Sequence, residues 1–296
     1  MKQKLILCCV SLISLIWACL PPAQENLNDL KYALNDQVYQ DIKNFQDRRL
    51  TDSLIYFLVN PKAVYRMLSA EALGSYRDTN AIQELIKLLK DPNESVKQAA
   101  IFSLGQIGHQ SAERSLINSF IAVDSTGPYL ETNVMILEAL GKCGTDSTLN
   151  LICKIQNYQK SNQTLLEGQM LCFFRFGLRN KICPASTALL VQVATTKSNS
   201  ESARLIASHC LLRFKELNIK PHYKELRNAC FEEKNASIRM CLIAAFARIT
   251  TPETLSDLEE LYTRIFDNRI QCNLVRGLQN FPNGMASSLA KKALQN

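Results

Sequence analysis

The sequence predicts an all-α fold, an α-α superhelix of about seven stacked helix pairs, and three observations carry that prediction. A nine-residue apolar pattern of helical spacing, clearest at residues 96–104, returns at 65–73, 203–211, 238–246 and 270–278, with weaker copies ending at Leu140 and Phe176. Each copy ends on an apolar residue, which gives anchors at Leu73, Leu104, Leu140, Phe176, Leu211, Phe246 and Leu278, separated by 31, 36, 36, 35, 35 and 32 residues. Self-similarity at such a period marks a repeat array, because one helix pair cannot bury its apolar faces until a neighbour stacks on it. Ten glycines and nine prolines in 296 residues are also too few for a turn-rich all-β chain.

The elements follow in order. Residues 19–36 read as a tether and 37–296 as the solenoid, opened by a capping helix over 37–50. In the second repeat, residues 81–89 place apolar side chains at helical spacing and stop at Lys90-Asp91-Pro92. Asp91 is expected as the N-cap of the following helix, Pro92 at its first position and Glu94 as the reciprocal capping-box acid. Thr79, Ser111 and Ser198 are expected N-caps elsewhere, and Thr250 with Glu253 forms a further capping box around Pro252. The third and fourth repeats carry longer internal turns at 124–128 and 157–162, and such insertions gather on one edge of an array. Residues 284–296 read as the first helix of an eighth repeat without its mate.

The N-terminus reads as an address. Lys2 and Lys4 precede an uncharged, mostly apolar stretch, residues 5–18, which falls short of the roughly 20 residues a membrane span needs and suits a signal-peptide core. It ends in Ile16-Trp17-Ala18-Cys19. A small residue directly before a cysteine resembles the lipobox of bacterial lipoproteins, where the signal is cut and the cysteine acylated. Ile16 and Trp17 depart from the Leu and small residue more usual there. The resemblance implies removal of residues 1–18, lipidation at Cys19, and a periplasmic lipoprotein of the bacterial cell envelope held at the outer membrane by its lipid. An ordinary secretory signal and an uncleaved anchor are the other readings of this segment. Removing residues 1–18 lowers the net charge from +7 to +5, a thin excess unlike the concentrated footprint of a nucleic-acid binder. The single tryptophan, Trp17, leaves with the signal, so none remains for base stacking.

Leu-Gly at 73–74, 104–105 and 140–141, preceded seven residues before the leucine by Arg66, Lys97 and Asn133, resembles the HEAT and phycobilisome-lyase-type HEAT families. Arg204 and Arg239 fill the same place later, whereas Gln169 and Gln271 depart from it. The resemblance covers about residues 51–283 and implies a HEAT/armadillo-like solenoid whose arginine makes polar contacts between repeats near the turns. A narrower resemblance, carried by Val38-Tyr39, residues 46–54 and Tyr65-Arg66, is to Bacteroidetes-type lipoproteins that place such repeats ahead of a cyclophilin-type peptidyl-prolyl isomerase domain. No cyclophilin-like β-barrel pattern occurs in this sequence, so that resemblance implies a periplasmic helper or scaffold without isomerase activity in these residues.

No catalytic residue, metal site or cofactor is predicted. His109, His209 and His222 are the only histidines, and none lies in a metal-binding arrangement such as H-E-x-x-H. His109 falls in an inter-repeat turn, and His209 lies in a repeat helix, where a packed histidine is the plainer reading than a catalytic base. Nucleophile elbows, Walker loops and dinucleotide fingerprints are absent. Of the cysteines, no two form C-x-x-C; Cys210, Cys241 and Cys272 lie on apolar helix stretches as small hydrophobes. Cys153, Cys172 and Cys183 are disulfide candidates whose pairing the sequence does not give. Basic residues thicken around Arg175, Arg179, Arg213, Lys215, Lys224 and Arg227. They are either a solvated helix edge or a patch for an acidic partner or anionic lipid headgroups.

These features favour a non-catalytic protein-binding scaffold over two other classes. A HEAT-type accessory lyase needs a pocket of convergent polar groups, for which the sequence nominates no residue, and a nucleic-acid-binding solenoid needs a basic groove with stacking aromatics. The solenoid part of a periplasmic folding factor stays open as a variant of the scaffold reading.

Overall fold

The computed structural model describes residues 30–122, 127–155, 163–282, 284–286 and 290–291. The described residues form fifteen α-helices and no strand, so the chain is an all-α, HEAT-like helical-repeat protein. They fall into two compact units, Met1–Ser103 and Leu104–Asn296, each treated by itself. The first holds α1 (Gln37–Asp47), the pairs α2 (Thr51–Phe57) with α3 (Ala63–Ser75) and α4 (Ile82–Lys87), and most of α5 (Glu94–Ile107). The second continues with α6 (Glu113–Ser119), α7 (Leu130–Cys143), α8 (Asp146–Cys153), α9 (Gln163–Leu178), α10 (Thr187–Thr195) and α11 (Glu201–Arg213). It ends with α12 (Tyr223–Glu232), α13 (Ala236–Phe246), α14 (Pro252–Arg264) and α15 (Asn268–Gly277). The expected terminal helix over 284–296 and the turn at 157–162 lie largely or wholly outside the described residues, as does most of the turn at 124–128.

Seven helix pairs match the seven anchors. Every anchor is buried, from fully enclosed Leu73, Leu104, Phe176, Leu211 and Phe246 to Leu278 at 8% exposure. Burying such a side chain contributes roughly 1.5–3 kcal/mol, so the anchors account for the period. The residue after the anchor is glycine in the first four repeats because the next second helix crosses there. A Cβ on Gly74 would meet the Ser103 backbone at 2.9 Å, and one on Gly177 would collide with the Phe214 ring.

The repeat position seven residues before each anchor has one task in six of the seven repeats: it donates to carbonyls at the end of the first helix of its own pair. Arg66 Nη1 reaches Asn60 O at 2.9 Å, Asn133 Nδ2 reaches Ile121 O at 2.8 Å, and Gln169 Nε2 reaches Ile155 O at 2.8 Å. Arg204 Nε donates to Ala194 O at 3.3 Å, Arg239 Nε to Cys230 O at 2.8 Å and Gln271 Nε2 to Ile265 O at 2.7 Å. The last carbonyls of a helix have no intrahelical donor, and this side chain supplies one. Gln169 and Gln271, which break the arginine pattern, keep its function because an amide N–H suffices for it. Arg66 and Arg204 also reach the following repeat, pairing with buried Asp91 and Glu233.

Several helix starts differ from expectation by one or two residues. Asn93, not Asp91, caps α5, accepting from Ser95 N at 3.0 Å and Val96 N at 3.3 Å. Asp91 instead holds the turn before it, accepting from Asn93 N at 2.9 Å, with its carboxylate committed to Arg66. Asp78 replaces Thr79, His109 replaces Ser111, Ser200 replaces Ser198, and Thr251 replaces Thr250 as the capping side chain. Single 3-10 turns ahead of α4 and α6 move the cap outward in the first two cases. The capping helix appears as Gln37–Asp47, closed at its start by Asp36.

Candidate functional site

The second helices of the later unit present a regular outer face. Five residues before the anchors stand Met135, Leu171, Ile206 and Cys241, the first three half-buried and the cysteine buried. Two residues before the anchors stand Glu138, Phe174, His209 and Ala244. Phe174 meets the His209 ring edge-on, with centroids 6.4 Å apart, and Cys241 Sγ lies 3.8 Å from His209 Nε2. One apolar and aromatic row therefore crosses α9, α11 and α13. His209 is exposed in this row rather than enclosed. Burial pushes the Cys241 thiol up to about 11, so at neutral pH it stands beside the His209 ring without the thiolate that nucleophilic chemistry requires.

The six basic residues singled out in the sequence do not form one cluster. Arg175 donates to Glu138 through Nε at 3.0 Å and Nη2 at 2.6 Å. Arg179 Nη1 donates to Gly144 O at 2.9 Å and stacks over Phe176. Arg227 pairs with Asp257 at 2.8 Å and covers the Phe231 ring. The exposed side chains of Arg213 and Lys215, at the end of α11, have no hydrogen-bond or ion-pair partner among the described residues, nor does that of Lys224 on α12. Residues that the sequence reasoning missed also matter here. Arg248 donates to Leu211 O, to Lys215 O at 2.9 Å and to Leu217 O at 3.2 Å, covering the end of α11 from the next repeat. Its signal was positional: Lys142, Arg213 and Arg248 all stand two residues past an anchor.

Cys153 and Cys183 form a disulfide, whereas Cys172 is a buried free thiol. Cys210 and Cys241 are buried as expected, but Cys272 is exposed, because its place on α15 points away from the core that Ile270 and Leu274 enter. No group of three His, Cys, Asp or Glu able to hold a metal ion occurs among the described residues, and none of the described helices is long and apolar enough to cross a membrane. Cys19 lies outside the described residues.

The fold and this face define an all-α protein of stacked helix pairs. Residues 51–121 match the family described as HEAT repeats. Among solved structures, the chain is similar to the complex of CpcE and CpcF of phycocyanin lyase from Nostoc sp. PCC7120, at 14% identity over 92% of this chain and 98% of that one, with a TM-score of 0.48. It is also similar to human deoxyhypusine hydroxylase in complex with glycerol, at 15% identity over 85% of this chain and 97% of that one, with a TM-score of 0.33. No curated protein matches the chain.

Proposed function

We propose that the protein is a non-catalytic, protein-binding scaffold of the bacterial cell envelope, a periplasmic lipoprotein tethered through Cys19. The observation that carries the binding role is the repeat-aligned row Met135, Leu171, Ile206, with Phe174 and His209 beside it, on consecutive second helices. Repeat arrays bind partners along such extended faces, where equivalent positions of successive helices supply successive contacts. The tether is supported by the Ala18-Cys19 junction behind the apolar stretch 5–18.

A photo-crosslinking residue placed at Ile206, and separately at exposed Lys234 as a control, tests the binding role in cells. A discrete adduct from Ile206 that Lys234 does not give supports it. Equal adducts, or none from Ile206, overturn it. Incorporation of a fatty-acid probe that disappears in Cys19→Ala supports the tether, and an unlabelled native chain removes it.

A further inference from the structure

At two junctions between neighbouring second helices, an arginine turns inward onto the end of the previous helix. Arg179, three residues past Phe176, donates to Gly141 O at 3.2 Å and Gly144 O at 2.9 Å beyond α7. Arg248, two residues past Phe246, covers the end of α11 in the same way. Arg213 stands two residues past Leu211 and is positioned for the end of α9, but that end is already closed. Asn180 adopts φ 58°, which lets Arg179 N at 2.9 Å and Lys181 N at 3.1 Å both donate to Phe176 O, while Asn180 N donates to Gly177 O at 3.0 Å. A left-handed residue just past a helix satisfies its carbonyls from within. The Arg213 side chain is therefore left exposed without a partner among the described residues, and the Lys215 ammonium beside it likewise.

Between these two helix ends lies a pocket of about 250 Å³. Leu178, Ile182 and Phe214 supply the apolar part of its lining, Asn180 adds an amide, and Arg213 and Lys215 bring two positive charges. The Phe214 ring lies so close to Gly177 that any side chain there would displace it, so the glycine fixes the floor. Glu216 adds one negative charge to the lining. It also acts on Arg248, where it offsets part of the burial that pulls the guanidinium down. The carbonyls ending α11, which would otherwise repel an anion, are covered by Arg248.

We infer that this pocket binds an acidic side chain of a peptide partner presented next to an apolar one, the carboxylate meeting Arg213 and Lys215 and the apolar group resting on Phe214, Leu178 and Ile182. The lining is more polar than apolar, so charge carries the recognition, and a guanidinium fork matches a carboxylate in geometry. The inference deepens the protein-binding reading and rests on it for the identity of the occupant.

The test is a titration of the chain with acetyl-Leu-Glu-amide and with acetyl-Leu-Gln-amide, read by the methyl NMR resonances of Leu178 and Ile182. The glutamate peptide is expected to shift both saturably and to bind about five-fold more tightly than the glutamine peptide, the discrimination two exposed charges can supply. The Arg213→Gln/Lys215→Gln double variant, altered only at exposed positions, is expected to lose that discrimination. Absence of saturable shifts, equal binding of the two peptides, or unchanged discrimination in the double variant overturns the inference. Inorganic phosphate moving the same methyls as tightly as the glutamate peptide also overturns it, in favour of a bare anion site. Because crosslinking at Ile206 does not use the pocket, a positive crosslink with a silent titration removes the pocket alone. A silent crosslink removes the scaffold reading itself.

Discussion

Arg66 and Asp91 meet side by side, Nε on Oδ2 at 2.7 Å and Nη2 on Oδ1 at 2.8 Å, with side-chain exposures of only 10% and 5%. The same guanidinium holds Asn60 O and Pro61 O behind it, so one side chain ties the turn of its own pair to the turn of the next. Removing one member of such a buried pair strands the other without water or a counter-charge. Arg66→Ala and Asp91→Ala are each expected to destabilise the chain by about 3–5 kcal/mol in urea unfolding. The double variant is expected to cost clearly less than the sum of the two, and additive losses would show that the pair does not couple.

Gly177 predicts a packing effect at another junction. A methyl group there collides with the Phe214 ring, and forcing extra volume into a filled site typically costs about 1–3 kcal/mol. Gly177→Ala should therefore lower the unfolding midpoint by that much, whereas Gly127→Ala, with open space around its Cβ direction but φ at 81°, should be limited to backbone strain of about 1 kcal/mol. Identical losses would show that the Phe214 contact is not the cause.

Glu113 sets a pH dependence. Its carboxylate accepts from Thr145 N at 2.7 Å, from Thr145 Oγ1 at 2.9 Å and from Thr148 Oγ1, at the start of α8 in the next repeat. Burial pushes its pKa up, but these donors and Arg179 outweigh that and hold it below the ordinary 4.5. A carboxyl depressed in the folded state contributes stability above its unfolded pKa and loses it as pH falls through the folded value. Glu113→Gln should thus cost about 1 kcal/mol at pH 7 and progressively less below about pH 4.5. A constant deficit down to pH 2.5 in denaturant titrations would contradict the linkage.

The free cysteines divide by accessibility. Cys272 is exposed, while burial pushes Cys143 up to about 12 and Cys241 to about 11, and raises Cys172, Cys210 and Cys230 as well. Alkylation of the native protein at pH 8 is expected to modify Cys272 first among these six, and Cys272→Ser should remove the fast phase. Peptide mapping that finds Cys143 or Cys210 modified at the same rate would contradict their burial.

The repeat was legible because its cause is local. An apolar residue at Leu73, Leu104 or Phe246 needs a helix of the right phase and a neighbour to cover it, and both requirements leave a periodic trace. The caps were less legible. Asp91 and Asn93 are both good capping residues, and only the pull of Arg66 on Asp91 decides between them. Cys272 shows the same limit in reverse, since an apolar stretch does not state which face of α15 a given residue occupies.

The sequence by itself determined the helices, their period and the residues that anchor them, because hydrophobic spacing is written in side chains. Only the tertiary structure decided which of Arg175, Arg179, Arg213, Arg227 and Arg248 remain free. Arg179 and Arg248 find backbone carbonyls on a neighbouring repeat more than thirty residues away, whereas Arg213 faces a helix end that Asn180 has already closed. A carbonyl belongs to every residue and so carries no sequence signal, and whether a guanidinium meets one is settled only when the helices stack.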